Sequence, residues 1–230
     1  MKTKNITFLL FFIGIIFSVC AQRVDSHVSY KNIDYYVLVE TEYGNMTIKL
    51  YNETPKHRDN YLILVSEGFY DSLLFHRVIN HFMIQGGDPT SKNATPGQML
   101  GEGTLGYTIP AEFDTNLFHK KGVLAAARQG DEVNPMKASS ASQFYLVQGQ
   151  VWNDTILNMM QMQMRKKFTP RQIEAYKTVG GTPHLDGDYT VFGEVVEGID
   201  VIDKIAAVPC DRFNRPIQDV RMKMKIVDVK

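Results

Sequence analysis

The stretch FHRVINHFMIQGGDPT, residues 75–90, sets one arginine, Arg77, among Phe75, Val78, Ile79, Phe82, Met83 and Ile84. An apolar run of that density belongs in the interior. A guanidinium cannot follow it there without partners, because an unpaired charge in an apolar setting is strongly disfavoured. Arg77 must therefore be hydrogen-bonded, with Gln85 as the ready neighbour, or face a pocket that receives a ligand. Gly86 and Gly87 allow a sharp turn or the close approach of another group, and Asp88-Pro89 ends the extended run. Taken alone, FHR also fits an arginine snorkelling from a strand, with Phe82 and Met83 as plain core.

Upstream, Tyr35 to Tyr51 alternates apolar and polar residues around Glu42-Tyr43-Gly44, the pattern of a hairpin of two half-buried strands. Thr54-Pro55 then starts a helix in which Tyr61, Leu62, Leu64 and Val65 recur at helical spacing until Gly68. The central stretch itself supplies strands over Phe75–Val78 and Phe82–Gln85. Downstream, Ser91 to Tyr107 is rich in Gly, Thr, Pro and Asn and reads as a long ordered loop. Strands follow over Gly122–Arg128, Ser139–Val147 and from the Asp186-Gly187 turn to Val196. The small residues of GVLAAAR fit either tight sheet packing or the floor of a ligand site. Gly198 to Val208 has the spacing of a second helix. Val220 to Val229 alternates through Met222, Met224 and Ile226 as a closing strand.

Residues 148–183 differ in character. Ile156, Met159, Met160 and Met164 have helical spacing, and Thr169-Pro170-Arg171-Gln172 is a capping-box start for a second short helix. This predicts an inserted helical hairpin, separable from the rest, whose methionines either pack it onto its own domain or offer an adaptable binding surface. The fold class expected from the pattern is mainly β: a closed antiparallel barrel of about eight strands, since closure removes exposed edges, with two packed α-helices.

The chain has 230 residues, and 25 Lys and Arg balance 25 Asp and Glu, so no global field favours nucleic acid or an anionic surface. Lys2, Lys4 and the apolar run Ile6–Val19 read as a secretory signal over residues 1–21, leaving a domain over 22–230. An exported, periplasmic or envelope location is expected, with lipidation of Cys20 as the alternative to soluble export. Cys210 is then the only thiol of the mature chain, so no intramolecular disulfide is expected. The six histidines are scattered and lack zinc-site spacing, no phosphate-cradling glycine loop precedes a helix, and SSAS does not form a nucleophile elbow. No metal and no cofactor are expected.

FHRVI followed by FMIQGGD resembles the signature of the cyclophilin-type peptidyl-prolyl cis-trans isomerases. IPAEF at 109–113 and SSASQFYLV at 139–147 resemble further segments of that family, and the resemblance spans roughly Tyr35 to Val229 apart from 148–183. It implies a cyclophilin-like barrel. It implies Arg77 as the catalytic residue and Phe82, Met83, Tyr145 and Leu185 as an apolar proline pocket. Gln85, Ala127, Arg128 and Gln143 match positions lining the neighbouring groove, and Tyr189 and His184 match further substrate-binding positions, the first often Tyr in bacterial members and His in eukaryotic ones. Tyr145 stands where phenylalanine is common, Arg128 where eukaryotic members have asparagine, and His184 where they often have tryptophan. The last departure implies weak cyclosporin binding.

The resemblance thus implies an enzyme acting on X-Pro bonds of unfolded or extended polypeptides in exported clients, working as a monomer. The other class kept open is a non-catalytic proline-peptide module or envelope scaffold that uses the methionine-rich insert. A turnover assay separates the two.

Overall fold

The computed structural model describes residues 33–228, so the signal-segment reading of 1–21 lies outside the described residues. Strands β1 (Tyr35–Thr41) and β2 (Gly44–Leu50) form the predicted hairpin, with Thr41 paired to Gly44. Helix α1 (Pro55–Ser66) follows, then β3 (Phe75–Ile79) and β4 (Met83–Gly86). The long loop leads to the two-residue strand β5 (Thr108–Ile109), then β6 (Val123–Ala126), β7 (Ser139–Ser140) and β8 (Phe144–Val147). Helices α2 (Asp154–Met164) and α3 (Pro170–Thr178) form the predicted pair within 148–183. Strand β9 (Val191–Glu197), α4 (Asp200–Ala206) and β10 (Lys223–Val227) complete the chain. Among the described residues no helix is long and apolar enough to cross a membrane.

Eight strands make one antiparallel sheet in the order β10-β1-β2-β9-β6-β8-β4-β3, and β5 pairs with β7 separately. The strand ladder of the sheet is open between β3 and β10. Across that gap run one isolated bridge, Leu74 to Arg221, and backbone hydrogen bonds from Ser72 N to Met222 O and from Phe75 N to Val220 O, each 2.9 Å.

Alternation along the strands sorts side chains onto two faces. Ile84, Leu124, Ala126, Phe144 and Leu146 join the main core with α1 and α4, whereas Met83, Val123, Ala125, Tyr145 and Val147 form a second cluster. In β3 the period breaks. The pairing register shifts between Phe75 and Arg77, so Phe75 and Val78 enter the main core while Ile79 joins the second cluster. Without that irregularity Arg77 would share a face with Phe75. The bulge turns it to the side of Met83 and Tyr145.

Four local features lie outside what the sequence pattern fixes. Thr54 makes no side-chain cap on α1; Glu112 caps it from afar, accepting from Lys56 N at 3.1 Å and His57 N at 3.0 Å. Burial of Tyr61, Leu64 and Val65 on α1, at about 1.5–3 kcal/mol for each fully buried side chain, outweighs the roughly 1 kcal/mol of a cap. The predicted strand 139–147 is interrupted over Ala141–Gln143 and becomes β7 and β8, because Ser142 turns to meet Gly87 instead of a ladder partner. Ile226 lies at the sheet's end strand and stays 44% exposed. On α2 the packed side chains are Leu157, Met160 and Met164, while Met159 points outward.

The hairpin itself forms as predicted. Asn153 caps α2 by accepting from Ile156 N at 2.9 Å, and Thr169 with Gln172 makes the capping box of α3. Leu157, Phe168 and Tyr176 pack around Phe118 of the preceding segment, and within 148–183 Trp152 Nε1 donates to Gly181 O at 2.9 Å.

Candidate active site

Cross-strand pairing puts Arg77 opposite Gln85 and Gln85 opposite Tyr145. Arg77 Nη1 donates to Gln85 Oε1 at 3.1 Å, and Gln85 Nε2 donates to Gln143 Oε1 at 3.2 Å. Gln143 Nε2 in turn donates to the carbonyls of Gly101 and Gly103, both at 2.9 Å. This chain of bonds fixes each amide's orientation and aims the guanidinium. No carboxylate pairs with Arg77 among the described residues, and burial pushes its guanidinium down from the usual range. Its remaining N–H groups are the unspent donors of the site.

Those donors border a cavity of about 110 Å³ lined by Arg77, Phe82, Met83, Gln85, Ala127, Arg128, Tyr145, Leu185 and Tyr189. Nine of the eleven residues named from the sequence line it. Of the other two, His184 stacks on Phe82 at the rim, with ring centroids 5.6 Å apart and planes 27° from parallel. Gln143 lines the adjoining groove of about 650 Å³, which Gln85, Ala127 and Arg128 share. Arg128 is held over the Tyr189 ring at 4.5 Å, donates Nε to Asp188 O at 2.6 Å and pairs with Asp131. It therefore forms a fixed partition between cavity and groove.

Behind the cavity lies a set of residues the sequence reading left out of the site. Tyr145 Oη is 2.9 Å from His119 Nε2, and His119 Nδ1 is 2.9 Å from Asp186 Oδ1. Burial raises the Tyr145 phenol well above its usual range, so it remains a protonated donor. In the sequence Asp186 reads only as a turn residue and His119 only as one of six scattered histidines. The signal available was the tyrosine in SQFY, whose hydroxyl needs a partner once buried.

One other constellation looks chemical and is not. Ser139 Oγ, His57 Nε2 and Glu112 align at 2.9 and 2.7 Å, yet Ser139 is 1% exposed and lines neither cavity. Glu112 is engaged in capping α1. No three of His, Cys, Asp and Glu converge as a metal site would require, among the described residues.

His76, in the bulge beside Arg77, is 3% exposed, and neither ring nitrogen has a hydrogen-bond partner. Burial, and secondarily Arg77, lowers its pKa from 6.5 to about 4 against the opposing pull of Asp88. Between pH 6.5 and 4 the unfolded chain therefore binds the proton the folded chain refuses, and stability falls as pH falls. The full window corresponds to about 3 kcal/mol. Chemical denaturation of wild type and His76→Gln at pH 7 and pH 4.5 checks this: the wild type should lose more stability than the variant. Equal losses would mean His76 titrates normally in the fold.

The family described as cyclophilin type peptidyl-prolyl cis-trans isomerase/CLD matches residues 36–226. A Staphylococcus aureus relative, provisionally named a peptidyl-prolyl cis-trans isomerase, is 36% identical over 185 residues, covering 80% of this chain and 87% of its own. A Streptococcus pyogenes relative, provisionally named a bifunctional phosphatase/peptidyl-prolyl cis-trans isomerase, is 36% identical over 188 residues; these are 80% of this chain but 37% of that larger protein. The fold is similar to that of a Cryptosporidium parvum cyclophilin type isomerase, with a TM-score of 0.62 at 23% identity, over 86% of this chain and 100% of that one. That protein has also been crystallised in the presence of the dipeptide Ala-Pro.

Proposed function

The chain belongs to the cyclophilin-type peptidyl-prolyl cis-trans isomerases, and from that premise we propose that Arg77 is its catalytic residue and exported polypeptides its clients. The observation that carries the site is the single cavity wall shared by a propped guanidinium and apolar side chains from β4, β8 and the 183–189 segment. An X-Pro bond rotates slowly because amide resonance imposes a barrier of about 18–20 kcal/mol. In the twisted state the proline nitrogen loses conjugation and becomes a hydrogen-bond acceptor. A donor fixed at that nitrogen binds the twisted form better than either planar one, which lowers the barrier. Phe82, Met83, Tyr145 and Leu185 hold the ring, while Gln85, Ala127 and Gln143 hold the flanking backbone. No nucleophile is required.

The same reading takes residues 22–230 as one cyclophilin-like domain carrying the 148–183 insert. It takes the curled sheet as a closed barrel, supported by the hydrogen bonds that join 72–75 to 220–222. The basic start and apolar run over residues 1–21 support export. Fractionation and N-terminal sequencing of the native protein test the client class. A mature chain starting near Gln22 outside the cytoplasm is expected, and a cytoplasmic chain retaining Met1 would overturn it.

A further inference from the structure

A proline ring needs only the phenyl face of Tyr145, and the hydroxyl points away from the cavity to His119. The purpose of that hydroxyl must be sought behind the wall. Asp186, also buried, accepts four hydrogen bonds. Its Oδ1 receives His119 N at 2.8 Å and His119 Nδ1 at 2.9 Å. Its Oδ2 receives Gln172 Nε2 at 3.0 Å and Tyr176 Oη at 2.6 Å. With the carboxylate accepting from Nδ1–H, the lone pair of His119 lies on Nε2, and Tyr145 donates to it.

Both donors to Oδ2 lie on α3 of the insert, and Tyr176 is fully buried. The main chain is clamped alongside. Thr182 N donates to His119 O at 2.8 Å, and Lys166 Nζ donates to Asp186 O at 2.7 Å. A buried network in which every member is satisfied holds one geometry, and losing one member disturbs the rest.

We propose that Tyr176 and Gln172 are positioning residues of the isomerase site, acting through Asp186 and His119 to fix the Tyr145 wall of the proline pocket. The insert thereby sets how firmly the ring is gripped. This rests on Tyr145 lining the pocket as described under the proposed function.

The test is a double-mutant cycle on the full mature chain, reading kcat and KM for an X-Pro peptide in wild type, Tyr176→Phe, Tyr145→Phe and the double variant. Tyr176→Phe should lower kcat/KM about three- to tenfold in the wild-type background and have no further effect once Tyr145 is phenylalanine. An equal loss in both backgrounds, or no loss in either, would overturn the proposal. If Tyr176→Phe does not fold, Gln172→Met enters the same cycle. The 15N shifts of His119 decide the network without any turnover: the Nδ1–H tautomer is expected, and the Nε2–H tautomer would refute it. An inactive wild type with the expected tautomer would therefore sink the proposed function and not the network.

Discussion

Gly87→Ala should destabilise the protein by about 2–5 kcal/mol, a drop in Tm of roughly 10 °C for a chain of this size. Gly87 has a φ of +89°, where any Cβ is strained. A Cβ built there would also lie 2.1 Å from Ser142 O and 3.0 Å from Gln143 Cα. Both are backbone atoms, so no side-chain rotation relieves the clash. Ser142 Oγ further donates to Gly87 O at 2.8 Å, and Tyr70 Oη donates to Ser142 O at 3.1 Å, which fixes the two segments against each other. Since Gln143 follows Ser142, the shift should also loosen the bond that holds Gln85, and activity should fall with stability. Gly97→Ala is the matched control, with a φ of +77° and nothing within 4 Å. It carries the conformational cost alone. Thermal unfolding of both variants is the check, and equal losses would show that close approach to Ser142 does not matter.

The central stretch was legible because its message is local. Arg77 and Gln85 sit across one short hairpin, so burial of an arginine and the need for a partner could be read together. The bulge at His76 was not legible, because strict alternation places Phe75 and Arg77 on one face and only the packed register separates them. The break in 139–147 was hidden for a similar reason: nothing in SSASQFYLV marks the point where Gly87 approaches Ser142. The back of the pocket draws on residues 119, 145, 172, 176 and 186, brought together from distant segments. Each alone reads as a core aromatic, a capping glutamine, a turn aspartate or a stray histidine. The methionine spacing on α2 predicted a helix but left open which methionines pack, because 3.6-residue periodicity does not say which neighbour the helix meets.

Arg77→Ala should lower turnover roughly 100- to 1000-fold, about 2.7–4 kcal/mol, the usual loss when a preorganised donor to transition-state charge is removed. The bond to Gln85 leaves the other guanidinium N–H groups at the cavity wall, and no carboxylate competes for them among the described residues. Arg77→Lys should recover little, because a single ammonium lacks the planar fork that Gln85 orients. Peptide affinity should change far less than rate, since Phe82, Met83, Tyr145 and Leu185 still form the ring pocket. The measurement that bears most directly on the whole account is therefore the cis-trans exchange rate of an X-Pro peptide saturated on the protein, read by NMR in wild type and Arg77→Ala. Binding should stay within about threefold and exchange should be at least about 100-fold slower in the variant. Equal exchange rates in two well-folded proteins would contradict it.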